Sequence, residues 1–129
     1  MKAPSWMNRE ECLSIHEMML AQHGGLSGVR DEGLLESALS KPQNIFAYGS
    51  PMLAEMAASY AAGIILNHPF VDGNRRTGFM VAAVFLEVNG RVLTATEESV
   101  IENTMALAAG AFEESDYAVW LKASSRKNQ

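Results

Sequence analysis

From Phe79 to Leu86 the chain reads Phe-Met-Val-Ala-Ala-Val-Phe-Leu, a run without one polar side chain. It lies inside a helix that begins near Gly73-Asn74 and ends at Asn89-Gly90. A helix that is apolar on every side has no face to offer water, so this one is expected to be buried at the centre of the domain. The run is far shorter than the roughly 20 residues a membrane helix needs. The other helices must therefore pack around it, and the expected fold is all-α, about six helices around a buried central one.

Five further helices follow from caps and spacing. Asn8 with Glu11 forms a capping-box pattern ahead of Cys12, Ile15 and Met19, and Gly24-Gly25 stops that helix. Asp31 caps a second through Leu34, Leu35, Ala38 and Leu39, which Lys41-Pro42 should end. Residues 43–50 show no sustained period, and Phe46 and Tyr48 suggest an irregular loop or small flap. Ser50-Pro51 then opens a third helix, with Pro at the first helical position where its missing N–H costs nothing, running to His68-Pro69. Thr96 caps a fifth helix and Ser115 a sixth; only Arg91-Val92-Leu93 has an extended pattern.

A chain of 129 residues suits one domain, 1–129, with a polar tail at 124–129 and no room for a separate regulatory domain. Ten Lys+Arg against 15 Asp+Glu give a net charge of −5, which argues against proteins that grip nucleic acid by neutralising many phosphates. Cys12 is the only cysteine, so no internal disulfide forms; with no signal-peptide core at the N-terminus, a reducing cytoplasm is the expected location.

Chemistry concentrates in His68-Pro69-Phe70-Val71-Asp72-Gly73-Asn74-Arg75-Arg76-Thr77-Gly78. Singly, a His before Pro reads as a helix-end cap and Asp-Gly-Asn as a turn with an N-cap. Together, between two apolar helices, they read as a site. A helix start leaves about four N–H groups unpartnered and partly positive, which suits an anion, and Gly73 has no side chain to block a phosphate. Arg75 and Arg76 lie in that first turn, where the helix dipole disfavours cations and a bound polyanion would compensate them. Phe70 and Val71 are expected to plug into the core and hold the loop rigid. A zinc shell from His16, His23 and His68 lacks a supporting Cys or Glu cluster, and Gly24-Gly25-Leu26-Ser27-Gly28 lacks the ending of a P-loop.

This segment resembles the signature of the Fic/Doc superfamily, and specifically its Doc (death-on-curing) branch, whose pattern runs His-x-Phe-x-Asp-Gly/Ala-Asn-Lys/Arg-Arg-Thr. Here those positions are His68, Phe70, Asp72, Gly73, Asn74, Arg75, Arg76 and Thr77. The likeness extends to His23-Gly24-Gly25-Leu26, Gly28-Val29-Arg30-Asp31, Gly33 to Leu39, Pro42, and Phe85 to Gly90. It implies that His68 is the general base, that Asp72 holds Mg²⁺ on the phosphates of ATP, and that Phe70 anchors the loop. It also implies that Gly73, Asn74, Arg75 and Arg76 form the nucleotide-binding turn, with Arg76 stabilising developing charge.

The AMP-transferring Fic pattern has Gly where this chain has Arg75, and a second Arg where it has Phe79. Doc toxins share both departures. The resemblance thus implies a toxin of a toxin–antitoxin pair that transfers the γ-phosphate of ATP to a protein hydroxyl, a threonine of elongation factor Tu. The alternatives are an AMP transferase and a catalytically silent antitoxin-binding module. Glu98 stands where an inhibitory Fic helix ending at Glu102-Asn103 would need Ser or Thr, which implies restraint in trans by an antitoxin segment. Leu13 and Leu20 of the first helix are candidate contacts for that segment, and the loop at Phe46 and Tyr48 is the candidate counterpart of the Fic target-holding flap.

Overall fold

The computed structural model describes residues 2–128. Its elements are α1 (Arg9–His23), α2 (Glu32–Tyr48), α3 (Leu53–Asn67), α4 (Asn74–Val88), β1 (Arg91–Leu93), α5 (Glu97–Ala108), α6 (Glu114–Ala123) and β2 (Ser125–Lys127). The fold is all-α, with a single two-stranded ribbon among the described residues. None of its helices is long and apolar enough to cross a membrane.

Three helix starts follow the local chemistry of their caps. At α1 the Glu11 N–H donates to Asn8 Oδ1 at 2.8 Å while the Asn8 N–H donates to Glu11 Oε1 at 3.1 Å. Asp31 Oδ1 accepts from the Leu34 N–H at 3.0 Å, and Thr96 Oγ1 from the Ser99 N–H at 3.1 Å. Two starts differ from expectation. Helix α3 begins at Leu53 rather than Pro51, because Glu55 Oε1 reaches back to the Met52 N–H at 2.8 Å. Helix α6 is capped at Glu113 rather than Ser115, because Asp116 Oδ2 accepts the Glu113 N–H at 2.9 Å.

Pro42 does not end α2. An interior proline removes one backbone hydrogen bond and costs about 3 kcal/mol, yet here it is buried and the helix continues to Tyr48. Burial on the far side offsets the loss: Phe46 packs on the core with its ring edge-on to Trp6 at 5.7 Å. The expected loop or flap at 43–50 is therefore mostly the end of α2, with Tyr48 91% exposed.

The hub of the fold is α3, not α4. Every residue from Ala54 to Ile65 except Glu55 is buried, and α3 packs against α2, α4 and α6. Helix α4 leaves Phe79, Met80, Ala83 and Val84 only half-buried. Side-chain size explains the exchange. Helix α3 is rich in Ala, Ser and Gly, which let neighbours approach on all sides; a Cβ at Gly63 would lie 2.8 Å from that of Ala38 on α2. Larger side chains on α4 fill space between helices, as Phe85 does against Trp6 and Tyr60.

The polar tail contributes a strand. Residues 125–127 pair antiparallel with β1, in the register Arg91 with Lys127 and Leu93 with Ser125. Cys12 is fully buried, and burial pushes its thiol up to about 12, so it stays a protonated core residue.

Candidate active site in the loop between α3 and α4

Helix α3 ends because Pro69 disfavours helical backbone at the residue before it. His68, the C-cap, takes the left-handed conformation, φ 51° and ψ 59°, with its N–H donating to Ile64 O at 3.2 Å. Its side chain lies at the surface. Beyond it the chain dives: Pro69 and Phe70 are buried, Val71 and Asp72 return to the surface, and Gly73 starts α4 with φ 75°. Phe70 is the core plug expected of it. Val71 is not; it is 48% exposed and lies beside Gly28.

Asn74 closes the loop on itself. Its Oδ1 accepts the Phe70 N–H and its Nδ2 donates to Phe70 O, each at 3.0 Å, in a buried setting. Both polar ends of the amide are thus engaged with backbone four residues earlier. The role this geometry gives Asn74 is to hold the loop. Glycine at the cap puts no side chain over the backbone N–H groups of the first turn, and the first intrahelical bond begins only at Thr77 N, 3.0 Å from Gly73 O.

The Asp72 carboxylate is exposed and takes one hydrogen bond per oxygen, from the Leu26 N–H at 3.1 Å and the Gly73 N–H at 2.9 Å. Those two N–H groups hold its pKa below the usual carboxylate value, with smaller pulls from His16 and Arg76. Consecutive residues of a helix point about 100° apart, and the structure separates the two arginines accordingly. The Arg75 guanidinium leans onto Met105 Sδ of α5, whereas Arg76 is among the charges acting on Asp72.

Two residues from the N-terminal third also build this site, and reading the motif alone misses them. His16, 2% exposed, stacks on the Phe70 ring at 3.9 Å with planes 11° apart, and its Nε2 lies 2.8 Å from Asp72 O. A carbonyl only accepts, so Nε2 carries the proton. The signal was present in the sequence: Cys12, Ile15, His16 and Met19 fall at i, i+3, i+4 and i+7, which puts His16 on the buried face. Arg30 donates from Nε to His68 O at 2.7 Å and from Nη2 to Asn67 O at 2.8 Å. Its segment also lies along the loop, with the Arg30 and Asp31 N–H groups on Pro69 O and the Val71 N–H on Gly28 O.

The sequence model of the Fic/DOC family matches residues 6–86, a stretch that contains the whole loop together with His16 and Arg30. The chain belongs to the Fic/DOC family. Two relatives are named for Doc. One is Toxin Doc of Mycolicibacterium smegmatis, 37% identical over 94 residues that cover 70% of this chain and 68% of that protein. The other is Protein kinase doc of Escherichia phage P1, 34% identical over 82 residues that cover 63% of this chain and 65% of that protein. The chain thus spans about two thirds of each relative it matches. Helices α5 and α6 and the ribbon lie outside the stretch matched by the Fic/DOC sequence model.

Asp72 is the one carboxylate within the loop itself, and among the described residues no cluster of three or more His, Cys, Asp or Glu is arranged for a metal. That set suits Mg²⁺, which commonly takes one or two protein carboxylates and completes its shell with phosphate and water oxygens. Asp72 is exposed, its acid strength raised, and each oxygen retains a free lone pair, so it fits the group.

Proposed function

We propose that this protein is a Doc-type toxin that transfers the γ-phosphate of ATP to a protein hydroxyl, with a threonine of elongation factor Tu as the target, and that a cognate antitoxin restrains it. The observation that carries the reading is the divergence of the two arginines in the first turn of α4. Arg75 turns away onto Met105, which leaves the glycine-capped N–H groups clear of that guanidinium, while Arg76 is near enough for its charge to act on Asp72. A triphosphate end fits that half-turn, since backbone donors, a helix N-terminus and one guanidinium all favour negative charge.

In this reading the target hydroxyl approaches the γ-phosphorus beside His68. Its oxygen forms the new P–O bond as the bond to the β–γ bridging oxygen breaks, its proton passes to the imidazole, and ADP leaves. Mg²⁺ held by Asp72 would neutralise charge on the phosphates. Arg76 stabilises charge that builds up during transfer, and Asn74 and Phe70 keep the loop from moving while it does so. The name of the phage relative, a protein kinase, supports this reaction class. The His, Asp, Asn and Arg set is intact, which favours an enzyme over a silent binding module.

Incubating the protein with elongation factor Tu and Mg-ATP, followed by mass spectrometry, tests the proposal. A phosphate adduct on a threonine is expected, lost in His68→Ala. An adenylyl adduct would replace the kinase reading with AMP transfer, and the absence of either adduct would remove the enzyme reading for this target. Expression of the chain should arrest growth unless His68 is replaced or the antitoxin is supplied.

A further inference from the structure

His68 is the only non-glycine residue with positive φ among the described residues. A side chain with a Cβ is disfavoured there, so something must hold it. Pro69 accounts for His68 leaving the helix but not for its staying left-handed, since residues before proline ordinarily settle in extended backbone. The side chain that touches this backbone is Arg30, whose fork spans the carbonyls of Asn67 and His68 at 2.8 and 2.7 Å. These are the last carbonyls of α3. They carry the partial negative charge of a helix C-terminus, which a guanidinium complements in both charge and shape. In the extended conformation the His68 carbonyl would rotate out of the fork.

We propose that Arg30 is a positioning residue for His68: its guanidinium locks residue 68 in the left-handed conformation and so aims the imidazole. The inference rests on the reading of His68 as the base. Arg30 does not touch the reacting atoms, and its backbone bonds to Pro69 O survive side-chain truncation. Arg30→Ala therefore removes the fork alone. Arg30→Lys keeps the charge but offers a point donor in place of two fixed bonds. Arg9→Ala is the control, since it also deletes one exposed cation, in the Arg9–Glu32 pair.

NMR on the folded full-length chain reads the sign of φ at residue 68 through its intraresidue HN–Hα NOE, strong only at positive φ, and its Cα and Cβ shifts. In Arg30→Ala residue 68 should lose its left-handed signature while the rest of α3 keeps its shifts; Arg30→Lys should fall between, and Arg9→Ala should match the wild type. A left-handed residue 68 in Arg30→Ala would overturn the proposal. Transfer from Mg-ATP should fall about tenfold in kcat with KM for ATP within twofold, the loss expected when two exposed charge-assisted bonds stop orienting a base. An unchanged kcat, or a loss confined to KM, would also overturn it. If the wild type transfers nothing from ATP, the reading of His68 fails, whereas the NMR comparison still decides what Arg30 does.

Discussion

Replacing Asn74 by alanine separates a loop-holding role from direct phosphate contact, because the structure commits its amide to Phe70. The substitution strips the Phe70 N–H and C=O of their partner at 3.0 Å each, in a place where Phe70 is fully buried and Asn74 is 7% exposed. A buried backbone group left unsatisfied costs about 1–3 kcal/mol. Water entering the vacated space recovers part of that, so the pair together should cost roughly 2–4 kcal/mol. Against a total stability of about 5–15 kcal/mol that is a large fraction. For a domain of this size each kcal/mol moves the melting temperature by several degrees, so a fall of about 10 °C is expected. Thermal or urea denaturation followed by circular dichroism measures it. Asn74→Asp should be nearly as costly, since it keeps the acceptor for the Phe70 N–H but turns a carboxylate oxygen towards the Phe70 carbonyl. A melting temperature within about 2 °C of wild type, combined with lost transfer activity, would refute the holding role and return Asn74 to direct phosphate contact.

Gly63→Ala places a Cβ 2.8 Å from Ala38 Cβ and 3.0 Å from its Cα, so α2 and α3 must separate; a loss of about 1–3 kcal/mol in urea denaturation is expected. His16→Phe keeps the stack on Phe70 but strands Asp72 O, and should lower both the melting temperature and transfer, whereas loss of neither would remove His16 from the site's support. Asp72 carries a pKa below its ordinary 3.8, so the folded protein holds fewer protons than the unfolded chain in the window just below that value. Its contribution is present above pH 3.8 and fades as pH falls through the lowered pKa; Asp72→Asn should flatten the acid side of the stability curve there. Equal slopes in the two proteins would contradict the hydrogen bonds from Leu26 and Gly73.

The loop from His68 to Thr77 was legible as a candidate site because its polar and charged residues are neighbours in sequence, and a concentration within a few positions needs no fold to be seen. What each residue does there was less legible. Asn74 and Arg75 have the composition of phosphate ligands, and the geometry sends one to Phe70 and the other to Met105. Helix α4 holds the longer unbroken apolar run, Phe79 to Leu86, but it also carries Arg75, Arg76 and Glu87, and a run length does not measure how closely neighbours can approach; the small residues of α3 do. Leu20, considered for an antitoxin contact, is half-buried and lies against the loop, where its Cδ2 would be 2.9 Å from a Cβ at Gly25 and 3.4 Å from one at Gly73.

By itself the sequence determined the all-α class, the starts of α1, α2 and α5, and the membership of His68, Asp72, Gly73 and Arg76 in one short segment. Each of these depends on bonds or periods spanning three or four residues, so the neighbours in the chain carry the whole cause. Only the tertiary structure decided that α2 runs through Pro42, that 125–127 pair with β1, and that His16 and Arg30 complete the site. Those outcomes depend on partners far away: 56 residues separate His16 from Asp72, and 38 separate Arg30 from His68. At such separations a local rule such as proline's cost competes with packing it cannot see, and the packing of α2 and Phe46 on the core prevails.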